Sequence, residues 1–272
     1  MKTFINIDKL EISFNLNDET RNRLIEGVEF QNEFHSIQKA SSTELTTITY
    51  KIILSNGAEF GTITFGTKHF NKNKLYLLVN NQMLYTSYLP LIYDIINVLN
   101  LDFSTINLLD CALDFDKNII NKFYKLLRNQ EYEFIILNKS RGIDDEIGEL
   151  LHLTTGTRRN IKKNKGFYIN NKEGGLTLHA YNKQKEINDN DNKKDYITHL
   201  TKTKNLYRLE IRTQHHILKD TLTKLGYTDD YLLQVIINRD NAELFYIYKN
   251  LLERLIRIKY KNNVYSLLDF LL

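Results

Sequence analysis

Much that would mark a function is missing from this chain of 272 residues. It has one cysteine, Cys111, so no disulfide can form within it, and no C-x-x-C or Cys/His cluster suggests zinc. Cys111 lies among apolar neighbours and reads as a packing residue in a reducing compartment. The single proline, Pro90, falls just inside the start of a helix, where its missing N–H costs little. No apolar run approaches the roughly 20 residues needed to span a bilayer. The opening MKTFINIDKLEISF is broken by Asp8, Lys9 and Glu11, so it does not read as a signal peptide. The expected location is cytoplasmic, with no membrane partner. No G-x-x-x-x-G-K-[ST] loop occurs, so no built-in helicase or ATPase is expected. No residue-level repeat is present. Charge is nearly balanced: 37 Lys+Arg against 33 Asp+Glu leave +4, so any nucleic-acid contact has to come from local clustering.

What is present is enough chain for a real core. Residues 2–16 alternate as a strand with a register slip at Asp8-Lys9, and Asp18-Glu19-Thr20 starts a helix to about Phe30. Residues 31–44 read as a loop. Thr46–Leu54 and Ala58–Phe65 read as strands joined at Asn56-Gly57, a hairpin signal that predicts a type I′ turn. Further strands are predicted over 74–80, 105–115 and 132–137, with helices over 90–99 and 118–128. Gly166–Ile169 and Leu176–Asn182 form a hairpin. Beyond residue 214 the reading is helical: Ile217–Leu225 stops at Gly226, Asn241–Lys259 is the longest amphipathic stretch, and Val264–Leu272 closes the chain. His215-His216 read as surface or helix-start residues. Strands outnumber helices and come partly in hairpins. The fold class is therefore α+β, mainly antiparallel sheet with helices packed on one face and a helical C-terminal region. The expected division is 1–213, with sheet-containing halves 1–100 and 101–213, and a helical region 214–272.

Three strands carry the chemistry. In LTLHAYNKQKE, Leu176, Leu178 and Ala180 alternate with Thr177, His179 and Tyr181, so the apolar set faces a core. His179, Tyr181 and Lys183 are expected on the opposite, wetter face. A phenol is a weak nucleophile at its reference pKa of about 10, and a nearby cation favours the ionised form. In NLLDCALDFD, Asp110, Asp114 and Asp116 share one face, an arrangement that repels itself unless a cation relieves it. In LYRLEIR, Arg208, Glu210 and Arg212 share a face, and arginine forks suit phosphates. The plain alternative for each strand is a solvated polar face. Together they offer the equipment to cut a phosphodiester by tyrosine attack.

These motifs, in this order, resemble the Rep_trans or replication initiation factor family of rolling-circle plasmid initiators, in which an R-x-D-x-x-x-D-F motif precedes Y-[ND]-K-x-x-E and a W-x-R-x-E strand follows. The resemblance spans about residues 105–215. It implies Tyr181 as nucleophile, Lys183 and Arg208 as catalytic companions, and Asp110, Asp114 and Glu210 as holders of a divalent metal, Mg or Mn. Asn182 and Glu186 complete the tyrosine motif. Leu206 replaces the usual tryptophan, and Leu108 the usual arginine, a loss that bears on one phosphate or carboxylate contact and not on the nucleophile. The H-U-H motif of other rolling-circle enzymes is absent. Asp110 and Asp114 lie roughly 13 Å apart along a strand, so Asp114 with Asp116, or one aspartate with Glu210, makes an easier ligand pair.

The implied function is a metal-dependent nickase that initiates rolling-circle replication through a covalent tyrosine–5′-phosphate intermediate. A conjugative relaxase, or a DNA-binding replication or copy-number regulator without catalysis, is the alternative. The implied partners are origin DNA, duplex and single-stranded, with a host helicase and polymerase; a homodimer is left open. The DNA-gripping residues expected from charge are Arg158, Arg159, Lys162, Lys163 and Lys165 in the stretch before the tyrosine hairpin, together with Arg212. The basic helical region 241–261 is the expected reader of the origin, against a plain cap or dimer interface.

Overall fold

The computed structural model describes residues 1–40, 47–66, 73–136, 151–152, 166–170, 175–190, 194–203 and 205–272. The fold is α+β and every strand pair with a defined register is antiparallel, as the alternation in the sequence implied. The chain forms two compact units, one of Ile7–Leu109 with Tyr227–Arg239, the other of Met1–Asn6, Asp110–Gly226 and Asp240–Leu272.

The first unit holds β1 (Thr3–Asn15), β2 (Phe30–Gln31), β3 (His35–Lys39), β4 (Thr47–Leu54), β5 (Glu59–Gly66), β6 (Lys74–Val79) and β7 (Asp102–Phe115), in the spatial order β2-β3-β4-β5-β6-β1-β7. Strands β1 and β7 are long enough to contribute residues to both units. The core face carries Leu10, Ile12, Phe14, Tyr50, Ile52 and Ile63, all buried. Helices α1 (Asp18–Ile25) and α2 (Leu91–Val98) add Leu24, Ile92 and Ile95 to that core. Asn17 caps α1 by accepting from the Thr20 amide. The loop expected over 31–44 contains β2 and β3, a short edge pair whose alternation is too brief to stand out in the sequence. The turn after β4 also differs. Gly57 has φ +82° but Asn56 does not have positive φ, so the type I′ turn is not formed; a three-residue loop, Ser55–Gly57, closes with the Gly57 amide donating to the Leu54 carbonyl.

In the second unit α3 (Ile119–Arg128) is capped by Asn118 and followed by β8 (Tyr132–Ile136). Next come β9 (Leu151–His152), β10 (Gly166–Asn170) and β11 (Leu176–Asn182), then helices α4 (Lys183–Asp189) and α5 (Asp195–Thr201), strand β12 (Tyr207–Gln214) and helix α6 (His215–Leu225). Helix α7 (Asp229–Asn238) belongs to the first unit and had no counterpart in the periodicity. The region after 240 is not wholly helical. Helix α8 (Asn241–Glu253) stops short of the expected Lys259, because Ile256–Tyr260 forms β13 and pairs with β8, while Asn263–Ser266 forms β14 ahead of the short helix α9 (Leu267–Leu271). The β-branched Ile256 and Ile258 alternate, and tertiary pairing overrides the weak helical propensity there.

The β10–β11–β12 ladder has two different faces. Phe167, Ile169, Leu176, Leu178, Ala180, Leu209 and Ile211 are buried on one. Phe123 of α3 stacks on Phe167 at 3.9 Å between ring centroids, and the Tyr248 hydroxyl of α8 donates to the Leu209 carbonyl at 2.9 Å. Helices therefore cover this face and leave the opposite one to the polar side chains.

Candidate active site

The polar face of the ladder is set by register. Tyr181 lies opposite Arg208, His179 opposite Glu210 and Thr177 opposite Arg212, with Gly166 opposite Tyr181 on the other side. Gly166 has φ +147°, and any Cβ there would collide with the Ala180 carbonyl oxygen. Glycine thus lets β10 close against β11 beside the tyrosine.

The strand ends one residue after Tyr181. The Asn182 side chain accepts from the Lys185 amide at 2.8 Å and caps α4, so Lys183 opens a helix and does not continue the strand as its spacing suggested. Its ammonium nevertheless returns to the tyrosine. The Lys183 Nζ donates to the Tyr181 hydroxyl at 3.4 Å and lies 5.5 Å from the ring centroid. It also pairs with Glu186 at 2.6 Å and is fully buried. The Tyr181 hydroxyl donates to Glu210 Oε2 at 2.8 Å, and the His179 ring stacks on the Tyr181 ring at 4.5 Å. One phenol therefore has a carboxylate acceptor and an ammonium donor on the same oxygen.

Burial pushes the Glu186 carboxyl up, but the Lys183 hydrogen bond and the charges of Lys183, Lys194 and Arg208 outweigh it and hold the group below its ordinary value. Glu186 is accordingly the anionic partner of a buried lysine. Burial lowers the His179 pKa, against the pull of Glu210 and Glu186, so the imidazole is neutral at pH 7. Burial also pushes the Cys111 thiol well up, which fits a packing residue and not a nucleophile.

The aspartates are engaged differently from the sequence expectation. Asp114 accepts from Arg208 Nε at 2.7 Å and Nη2 at 2.8 Å, and from Asn6 Nδ2 at 3.0 Å; both charged side chains are fully buried. Asp110 accepts from Arg212 Nε at 3.0 Å and Nη2 at 2.9 Å. Asp116 accepts from the Lys2 backbone amide. The face expected to be wet is mostly enclosed: Asp110, Asp114, Lys183 and Arg208 are all buried. Arg208, enclosed with Asp114, is placed to position β12 and not to touch a phosphate. Arg212 is 56% exposed and retains that reach.

The three carboxylates do not fit a metal as they stand. Asp110 and Asp114 are each forked by a guanidinium, and Glu210 holds the phenol. Among the described residues no three His, Cys, Asp or Glu side chains gather as a cation site. Arg158, Arg159, Lys162, Lys163 and Lys165 lie outside the described residues.

The tyrosine opens on a pocket of about 410 Å³ whose walls include Asn182, Glu186 and Tyr207. Sequence reading placed His179 beside the tyrosine but gave it no role. It gives no site role to Tyr207 or Asn6. Tyr207 was legible as the first alternating residue of LYRLEIR, but that pattern assigned it to the apolar face.

No protein-family model matches the chain, and no curated relative matches it. Among solved structures it is similar to a rolling circle replication initiator protein from Geobacillus stearothermophilus, with a TM-score of 0.50 and 15% identity, over 96% of this chain and 89% of that one. At that identity the likeness speaks for the fold.

Proposed function

We propose that this chain initiates rolling-circle replication by nicking and rejoining origin DNA through Tyr181. The observation that carries the reading is the Tyr181 hydroxyl, bonded to Glu210 at 2.8 Å and 3.4 Å from the buried Lys183 ammonium, on a residue that lines a pocket. The fold likeness to a rolling-circle initiator and the motif order support it.

In the forward step the Tyr181 proton passes to Glu210 as the phenol oxygen bonds to phosphorus. The P–O3′ bond breaks, the 3′-oxygen leaves with its electron pair and takes a proton from water, and the 5′-phosphate stays on the tyrosine. The free 3′-OH then serves a polymerase. Rejoining is the reverse. Lys183 stabilises the negative charge that develops on the phenol oxygen as its proton leaves. Arg208 acts through Asp114, which fixes β12 and hence Glu210. Arg212 and the basic stretch 158–165 hold the DNA backbone. A divalent cation remains part of the proposal as a requirement to be measured, with Mg, Mn and excess chelator compared in the same assay. Origin DNA, a host helicase and a polymerase are the proposed partners.

The test uses supercoiled origin plasmid and single-stranded substrates. Tyr181→Phe should retain the fold and DNA binding and yield no nicked circle and no covalent adduct. Glu210→Gln should slow nicking by about 10²- to 10⁴-fold, the usual weight of a positioned base. Undiminished nicking by Tyr181→Phe would move the nucleophile elsewhere, with Tyr168 next to test because it lies opposite His179. DNA binding with no nicking by the wild type would favour a regulator.

A further inference from the structure

The pocket beside Tyr181 has walls that the proposed chemistry does not use. Three amides surround it, each committed at one end only. Asn182 Oδ1 accepts from the Lys185 amide, and Asn118 Oδ1 from the Asn121 amide, both as helix caps. The Asn190 amide nitrogen donates to the Glu186 carbonyl at 2.8 Å. These bonds fix which end of each amide is left over: two NH₂ groups and one carbonyl, with no further partner among the described residues. Asp189 adds a carboxylate and Tyr207 an aromatic ring, which lies opposite Asn182 in the ladder.

Charge decides what such a pocket takes. Among the described residues that line it, Lys185 is the cation, Asp189 is an anion, and Glu186 is an anion already paired with Lys183 and Lys194. The lining side chains carry no excess of positive charge to hold a phosphate, which the nicking proposal places at the Tyr181 hydroxyl. A nucleobase is neutral, stacks on a tyrosine ring and carries donors and acceptors on its edge. A volume of about 410 Å³ lies within the range of small-ligand sites. We infer that this pocket holds one unpaired nucleobase flanking the scissile phosphate, stacked on Tyr207 and read by Asp189 and the Asn190 carbonyl. Those two acceptors call for a base with an exocyclic amine. Thymine has no exocyclic amine, and its single N3–H donor leaves one of the two acceptors unmet. The inference rests on the nicking proposal for the identity of its ligand.

A pool of single-stranded oligonucleotides of random sequence tests it with the intact protein. Covalent adducts are captured and their DNA sequenced. Wild type should show, within two nucleotides of the joined phosphate, one position where thymine is disfavoured by at least about fivefold, the low end for one good base contact. Tyr207→Leu and Asp189→Asn should flatten that position while other preferences persist, a pattern that general damage to the fold would not give. Adducts whose base profile is unchanged in both variants overturn the pocket and leave the nickase standing. If wild type forms no adduct, the nickase reading fails separately. The pocket is then judged by photocross-linking of Tyr181→Phe to oligonucleotides containing 5-iodocytosine. Cross-links in the peptide bearing Tyr207 support the base site, and cross-links confined to other peptides overturn it.

Discussion

Asp114–Arg208 and Asp110–Arg212 join the same two strands, β7 and β12, four residues apart along each. Their chemistry is identical and their surroundings are not. Both side chains of the first pair are fully buried, whereas Arg212 of the second is 56% exposed. Between them, Ala112 stands where a third acid would continue the β7 pattern, and Glu210 stands between the two arginines on β12. Each arginine is matched by an aspartate. The alanine offers Glu210 nothing, so Glu210 turns to Tyr181. The pairing pattern, acid–small–acid against base–acid–base, leaves Glu210 without a guanidinium fork, 4.0 Å from Arg212 and bonded to Tyr181. The buried pair sets the strand and the open pair faces the solvent side of the site.

The sharpest way to break this comparison is to remove each aspartate in turn. Asp114→Ala leaves Arg208 as an uncompensated buried charge, which costs about 3–5 kcal/mol. Asp110→Ala releases an exposed guanidinium to water and should cost about 1 kcal/mol or less. Chemical denaturation of both variants checks this. Equal losses would mean that burial does not separate the pairs. Arg208→Lys should recover only part of the stability, since an ammonium cannot fork both Asp114 oxygens.

The open pair makes the next test. Arg212 is exposed enough to exchange Asp110 for a DNA phosphate. Arg212→Ala should lower the salt slope of log K by about 0.9 on duplex or about 0.7 on single strands, equally for origin and random sequences. The matching Arg208→Ala slope, read on whatever fraction folds, should not change. Affinity measured against salt concentration decides it. A slope that falls for Arg208 and not for Arg212 reverses the assignment of the two arginines.

Much of this site was legible in the sequence because strand alternation is a strict geometric rule. LTLHAYN, LLDCALDF and LYRLEIR each showed which side chains share a face, and the faces came out as read, except at Lys183. Lys183 escaped because strand spacing was carried one residue past the Asn182 cap. What alternation cannot give is which strands are neighbours. Without that, the aspartates looked like a metal site and the arginines like a phosphate site, when Asp114 is paired with Arg208 and Asp110 with Arg212. The β13–β14 hairpin escaped for the same reason: its pairing partner, β8, is more than a hundred residues away. The stretch 158–165 lies outside the described residues, so its role still rests on charge alone.

A third buried group extends the comparison to burial without a partner, and it carries the smallest expected effect. His35 on β3 is 3% exposed, and its Nδ1 is buried with no hydrogen-bond partner among the described residues. Burial lowers its pKa, and the charge of Asp94 only partly restores it. Unlike Arg208, it has no carboxylate at bonding distance that would let it carry charge inside. The neutral form is therefore the folded form. As pH falls below the ordinary value of 6.5, the unfolded chain takes up the proton first, and folded protein is lost in proportion. The stability that His35 contributes is complete above 6.5 and disappears between 6.5 and its lowered folded value. The slope cannot exceed about 1.4 kcal/mol per pH unit for one proton. His35→Leu keeps an apolar side chain at that place and removes the titration. Thermal unfolding of wild type and variant between pH 7.5 and 5 should give a wild-type curve that falls more steeply toward acid than the variant's, because only the wild type loses this contribution. Parallel curves would show that His35 takes up its proton equally in both states, and the contrast between paired and unpaired burial would then not hold for this residue.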